Sequence, residues 1–191
     1  MKLTEQVFKE FKSEPDVKMF LQTISKYKYC VIGGLAVALY SKGSRTVSPD
    51  DMDVYLAESQ IESFLNDLMD QGFKILKNHH FQGAEWYVVS TGNEQEFDIA
   101  LQPDSSKFFE HPTVFHYKNQ DLKVIEKKYL VINKLDAKRN KDLRDVLFLL
   151  RDESFSFIQL IRKRISGEER ELLDQLVDDL SQFDLMVDVY S

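Results

Sequence analysis

The stretch from Val31 to Leu56 constrains this 191-residue chain more than any other. A short apolar run, Tyr29-Cys-Val-Ile32, has the character of a buried strand, and Gly33-Gly34 follows it directly. Leu35 to Tyr40 is apolar and of helix length. A polar loop with Gly43, Ser44 and Arg45 then leads to Asp51-Met52-Asp53 at the head of a second apolar strand, Val54-Tyr-Leu56. Residues i and i+2 of a strand share a face, so Asp51 and Asp53 project together. Adjacent carboxylates repel unless a cation lies between them. Oxygen-only donors suit Mg²⁺, which keeps coordination positions for water and phosphates. Glycine at the entry to a helix lets backbone approach a phosphate, and the helix N-terminus favours negative charge.

This arrangement resembles the signature of the polymerase-β-like nucleotidyltransferase superfamily. In that signature an apolar residue with Gly-Gly or Gly-Ser opens a helix, and an Asp-x-Asp pair follows on the next strand. Ile32-Gly33-Gly34 and Asp51-Met52-Asp53 match it in order. Arg45-Thr46 is similar to an Arg and Thr that precede the pair in bacterial members. The segment Leu35 to Asp50 is longer than is usual for the family, with the extra length placed around Val47-Ser48-Pro49. The resemblance implies a third carboxylate on a neighbouring strand. In Glu94-Gln-Glu-Phe-Asp-Ile-Ala-Leu101, Phe97, Ile99 and Leu101 alternate with Glu96, Asp98 and Ala100. Asp98 therefore lies on the face opposite the large apolar residues, and Phe97-Asp98-Ile99 has the expected apolar-Asp-apolar form.

A second informative stretch is Lys134-Leu-Asp-Ala-Lys-Arg-Asn-Lys-Asp-Leu-Arg-Asp145. Lys134, Lys138, Arg139, Lys141 and Arg144 concentrate positive charge, which a triphosphate needs. The stretch is similar to a Lys-Leu-x-Ala-x-Arg-x-Lys-Asp-x-x-Asp pattern of bacterial AbiEii-like nucleotidyltransferases. Without that resemblance it reads rather as a solvated helix laced with i,i+4 charge pairs.

The remaining chain reads as alternating short elements. Val7, Phe8 and Phe11 share one helical face, and Val17, Phe20, Leu21 and Ile24 share another after Pro15. Ser59-Gln-Ile-Glu62 has the form of a capping box opening a helix that ends at Gly72. Strands are expected at Phe73–Leu76, Glu85–Thr91, Glu94–Leu101, Thr113–Tyr117 and Leu122–Ile125, with a loop holding a little local structure from Gln102 to Pro112. Helices are expected from Lys127 to Lys138, Asn140 to Arg151 and Phe155 to Ile165, then an acidic one with Leu172, Leu173, Leu176, Val177 and Leu180 inward. Trp86 and Tyr87 read as core residues of their strand, with base stacking as the other role open to them. His79 and His80 point to opposite strand faces and make poor joint metal ligands.

Composition narrows the class. The net charge of −7 excludes nonspecific nucleic-acid binding over the whole surface and leaves room for a local basic strip. The one cysteine, Cys30, lies in an apolar run and reads as a buried thiol. The chain has no apolar run long enough to span a membrane, and Met1-Lys-Leu-Thr-Glu-Gln has no signal-peptide core. The expectation is a cytoplasmic protein.

The expected fold is α/β, a small mixed β-sheet flanked by helices, with a C-terminal helical region. Residues 1–126 would form a catalytic domain and residues 127–191 a helical region packed on it. The resemblance implies transfer of a nucleoside monophosphate from an NTP to a hydroxyl, with Asp51, Asp53 and Asp98 holding two Mg²⁺ ions. Gly33, Gly34, Ser44, Arg45, Lys134, Lys138, Arg139 and Lys141 would bind the nucleotide. The acceptor it implies is a transfer RNA, as in toxin–antitoxin or abortive-infection systems, with an antitoxin as a protein partner. The alternatives are aminoglycoside or lincosamide adenylylation, or a degenerate member that only binds nucleotide or a partner.

Overall fold

A computed structural model of the chain describes residues 7–8, 11–42, 51–81 and 83–187, with side chains through residue 180. The chain divides into two compact units, Met1–Glu126 and Lys127–Ser191.

The first unit is built on one mixed sheet of seven strands. These are β1 (Tyr29–Val31), β2 (Asp51–Ala57), β3 (Lys74–Phe81), β4 (Ala84–Ser90), β5 (Glu96–Gln102), β6 (Thr113–Tyr117) and β7 (Gln120–Val124). Their order across the sheet is β3-β4-β5-β2-β1-β7-β6. β2 runs parallel to β5, and β1 runs parallel to β7 and antiparallel to β2. The mixed α/β architecture agrees with the expectation from sequence.

Alternation along β2 and β5 separates two faces. Met52, Val54, Leu56, Phe97 and Ile99 are buried on one. Helices α1 (Glu14–Ile24) and α3 (Ile61–Met69) supply apolar residues to the core. Phe20 of α1 stacks on Phe97 at 4.2 Å between ring centroids and meets Phe64 of α3 edge-on at 5.7 Å. Ser13 caps α1, and Glu14 and Asp16 in its first turn complement the helix dipole. Helix α2 (Gly33–Tyr40) buries Leu35 through Leu39. Tyr40 at its end donates to the Ile125 carbonyl at 2.8 Å. Cys30 is fully buried, as expected, and burial pushes its thiol pKa up.

Two local expectations need correction. Ser59 does not close a capping box. Its N–H and hydroxyl both donate to the Asp104 carboxylate, at 3.2 and 2.5 Å, and a 3₁₀ turn at Glu58–Gln60 precedes α3. β3 extends to Phe81 because it pairs along its length with β4. This pairing overrides the weak strand propensity of Lys77-Asn-His-His80. The Gln102–Pro112 loop holds a 3₁₀ turn at Lys107–Phe109, in keeping with the local structure expected there.

The second unit is helical: α4 (Lys127–Ala137), α5 (Asn140–Leu150), α6 (Phe155–Arg162) and α7 (Gly167–Val187). Lys138 has φ of 54°, which separates α4 from α5. The core includes Leu130, Val131, Leu135, Val146, Leu149, Ile161 and Leu173. Leu173 and Leu176 are buried, whereas Leu172, Val177 and Leu180 are half-exposed. No helix among the described residues is long and apolar enough to cross a membrane.

Candidate active site

Strand register brings three carboxylates together. Asp53 is the direct partner of Asp98 across the β2–β5 pair, and Asp51 is the partner of Glu96. Asp51 and Asp53 share a face by alternation, so Asp51, Asp53 and Asp98 converge on the face opposite the aromatic core. One carboxylate oxygen from each lies within 4.8 Å of the others. Asp51 is exposed, and Asp53 and Asp98 are partly buried.

Gly33 completes the arrangement. Its φ is +63°, a conformation that costs little only for glycine. A Cβ there would overlap Asp53 Oδ2 and lie 2.6 Å from Asp53 Cγ. The glycine therefore makes room for a carboxylate as well as opening α2. The Ile32 N–H donates to the Asp53 carbonyl at 2.9 Å, tying the β1–α2 turn to the carboxylate strand. Gly34 occupies the first turn of α2.

The electrostatics follow from this crowding. Burial, then the charges of Asp51 and Glu96, push the Asp98 carboxyl up to about 6, while Lys77 opposes them. The donor set is all oxygen, partly buried and mutually repulsive, which fits a hard divalent cation such as Mg²⁺. Glu96 and Lys77 are members of this environment that the sequence reading passed over. The signal for Glu96 was present, since it lies two residues before Asp98 on the same strand face. Lys77 comes from β3, two strands from β5, and only the sheet order brings it near.

The other expected nucleotide ligands are placed differently. Ser44 and Arg45 lie outside the described residues. Lys134, in the second unit, is buried, and its ammonium lies 2.8 Å from Asp142 Oδ1 and 2.8 Å from Asp145 Oδ2. Arg139 also pairs with Asp142, at 2.5 Å. Burial raises the Asp142 carboxyl, and hydrogen bonds from Arg139 and Lys134 outweigh it, so its pKa falls below the ordinary carboxylate value. Lys138 pairs with Glu168 at 2.6 Å. Lys141 is exposed.

No protein-family model matches the chain, and no curated protein matches it in sequence. Solved structures do match its fold. The lincosamide antibiotic adenylyltransferase LnuA, with lincomycin bound, has a TM-score of 0.54 at 17% identity, over 72% of this chain and 96% of that one. The antibiotic-resistance factor ANT(2'')-Ia has a TM-score of 0.57 at 11% identity, over 97% of this chain and 100% of that one. An antigenic nucleotidyltransferase-like protein from Paracoccidioides brasiliensis has a TM-score of 0.52 at 16% identity, over 95% and 91%. At these identities the likeness is one of fold, and the chain shares the fold of these nucleotidyltransferases.

Proposed function

We propose that this chain is a metal-dependent nucleotidyltransferase that moves a nucleoside monophosphate from an NTP to a hydroxyl acceptor. The observation that carries the proposal is the register of Asp53 with Asp98, with Asp51 two residues away and Gly33 against Asp53. The shared fold with LnuA and ANT(2'')-Ia supports it.

In this reading Asp51, Asp53 and Asp98 hold Mg²⁺. Bound there, the metal supplies positive charge to the triphosphate and eases ionisation of the attacking hydroxyl. Gly33 and Gly34 admit the phosphates to the first turn of α2, where backbone N–H groups point outward. The Asp98 carboxylate stands to accept the proton of the acceptor hydroxyl at one of its oxygens. Ser44 and Arg45 are further phosphate contacts in this proposal. The buried pairs of Lys134 give it a role in positioning α4 against α5.

The finer reading of the acceptor is a transfer RNA, as in AbiEii-like toxin systems with an antitoxin partner. The fold likeness to two antibiotic-modifying proteins favours the second reading, adenylylation of an aminoglycoside or lincosamide. Calorimetry with each NTP and Mg²⁺ tests the shared core. The expected result is binding that chelation abolishes and that Asp51→Asn/Asp53→Asn protein lacks. Metal-independent binding, or binding unaltered in the double variant, contradicts it.

A further inference from the structure

The triad lies on a sheet face that continues across β4 to β3, and that continuation differs sharply from the rest of this acidic chain. Asp98 pairs with Val88, which pairs with Lys77. Ala100 pairs with Trp86, which pairs with His79. Lys74 pairs with Ser90, and Phe81 with Ala84. Partners across a sheet point to one side, so Lys74, Lys77, His79, Phe81 and Trp86 all share the face of Asp98.

These residues are available to a ligand. Lys74 and Lys77 are exposed, Phe81 is 49% exposed, and Trp86 is half-buried rather than a core residue. The Phe81 and Trp86 rings meet edge-on at 6.4 Å. Lys74 to Phe81 contains two lysines, two histidines and no carboxylate, in a chain of net charge −7. Basic side chains interleaved with exposed aromatic rings are the chemistry that holds a single strand of nucleic acid. Lysines take the phosphates, and rings stack on bases whatever their identity.

The direction of attack selects this side of the triad. If the nucleotidyltransferase reading holds, the NTP phosphates sit at the Gly33–Gly34 turn, on the β1 side of β2. Attacking and leaving oxygens lie roughly in line at the transferred phosphorus. The acceptor hydroxyl then arrives from the β5 side, over which β4 and β3 extend.

We propose that the β3–β4 face, through Lys74, Lys77, Phe81 and Trp86, binds the terminal segment of a single-stranded nucleic acid and presents its hydroxyl to Asp98. The transfer forms a bond from that hydroxyl oxygen to the α-phosphorus of the NTP and breaks the bond to pyrophosphate, the hydroxyl proton passing to Asp98.

Trp86 is the only tryptophan in the chain, so its fluorescence reports on this face alone. The test titrates the full chain with octa-adenylate RNA bearing a free 3′-hydroxyl, with tobramycin, and with Mg²⁺ and ATP, while calorimetry follows ATP binding separately. The expected result is quenching by the oligonucleotide that weakens with salt. Lys74→Ala/Lys77→Ala protein should bind it about tenfold more weakly, with a salt slope smaller by about 1.4. Three results overturn the acceptor face while leaving the nucleotidyltransferase reading standing, provided ATP binds in a Mg²⁺-dependent way. They are no response to RNA, RNA binding that the double lysine variant keeps in full, and quenching by tobramycin instead of RNA. Quenching by ATP alone also overturns it, by placing the nucleotide base at Trp86. Absence of Mg²⁺-dependent ATP binding overturns the underlying reading and the acceptor face with it.

Discussion

Gly33 and Asp53 depend on each other. An alanine at Gly33 would have to hold a positive φ and push the Asp53 carboxylate from its place. The strain costs about 1–2 kcal/mol. Displacing a residue of the proposed metal site by about 1 Å costs activity on the order of 100-fold. Gly33→Ala protein should therefore melt lower and lose nucleotidyl transfer, whereas Gly34→Ala should lose less of both. Equal effects at the two glycines would contradict the assignment. Asp98 offers a second residue-scale test, in protein stripped of metal. Its folded pKa is raised from 3.8 to about 6, so between those values the native state holds a proton that the unfolded chain releases. Stability then falls as pH rises through that window. Asp98→Asn removes the cost of the buried charge. Above pH 6 the variant should be more stable than the wild type, by on the order of 1 kcal/mol after solvent screening. Below pH 4 the advantage should vanish. Thermal melts in chelator across this range check it, and a pH-independent advantage would contradict it. At this scale the shared face of Asp51 and Asp53 was readable from period-two alternation, and Asp98 was picked out by the family resemblance. The role of Gly33 toward Asp53 was not, since a positive φ and a side-chain approach appear only in three dimensions.

At the scale of elements, the α4–α5 pair shows how charge type and charge environment differ. The Lys134–Asp145 stretch reads in sequence as a solvated basic helix or a phosphate-binding one. In the structure the chain turns at Lys138, folding Asp142 and Asp145 of α5 back onto Lys134 of α4. Removing one partner from a buried ion pair strands the others. Lys134→Ala should cost about 3–5 kcal/mol in urea unfolding. Lys138→Ala, which breaks an exposed pair with Glu168, should change the unfolding midpoint far less. Similar costs would mean that the buried pair does not hold the two helices. In the sheet, the existence of most strands was readable from alternation and glycine turns, whereas their order across the sheet appears only in the structure. The length of β3 was not, because cross-strand pairing with β4 decides it. The aromatic core is sharper in structure than in sequence. Phe20, fully buried between Phe64 and Phe97, should cost about 3–5 kcal/mol when cut to alanine.

At the scale of the whole molecule, the architecture agrees with LnuA and ANT(2'')-Ia at identities of 17% and 11%. Such divergence is expected where apolar pattern and packing specify a fold and many side chains serve equally well. The sequence features tied to the site are few: a glycine at a strained turn and carboxylates at fixed register. These are the features that single-sequence reading found. The proposed acceptor surface escaped it because β3 and β5 meet only through β4. The central claim is that the triad serves nucleotidyl transfer, and the direct measurement follows label from each α-³²P NTP into RNA, protein and small molecules of a bacterial extract with Mg²⁺. The account predicts label in one acceptor fraction with wild-type protein and none with Asp51→Asn/Asp53→Asn protein. Label that stays wholly in the nucleotide, from a protein that also binds no NTP, would contradict it.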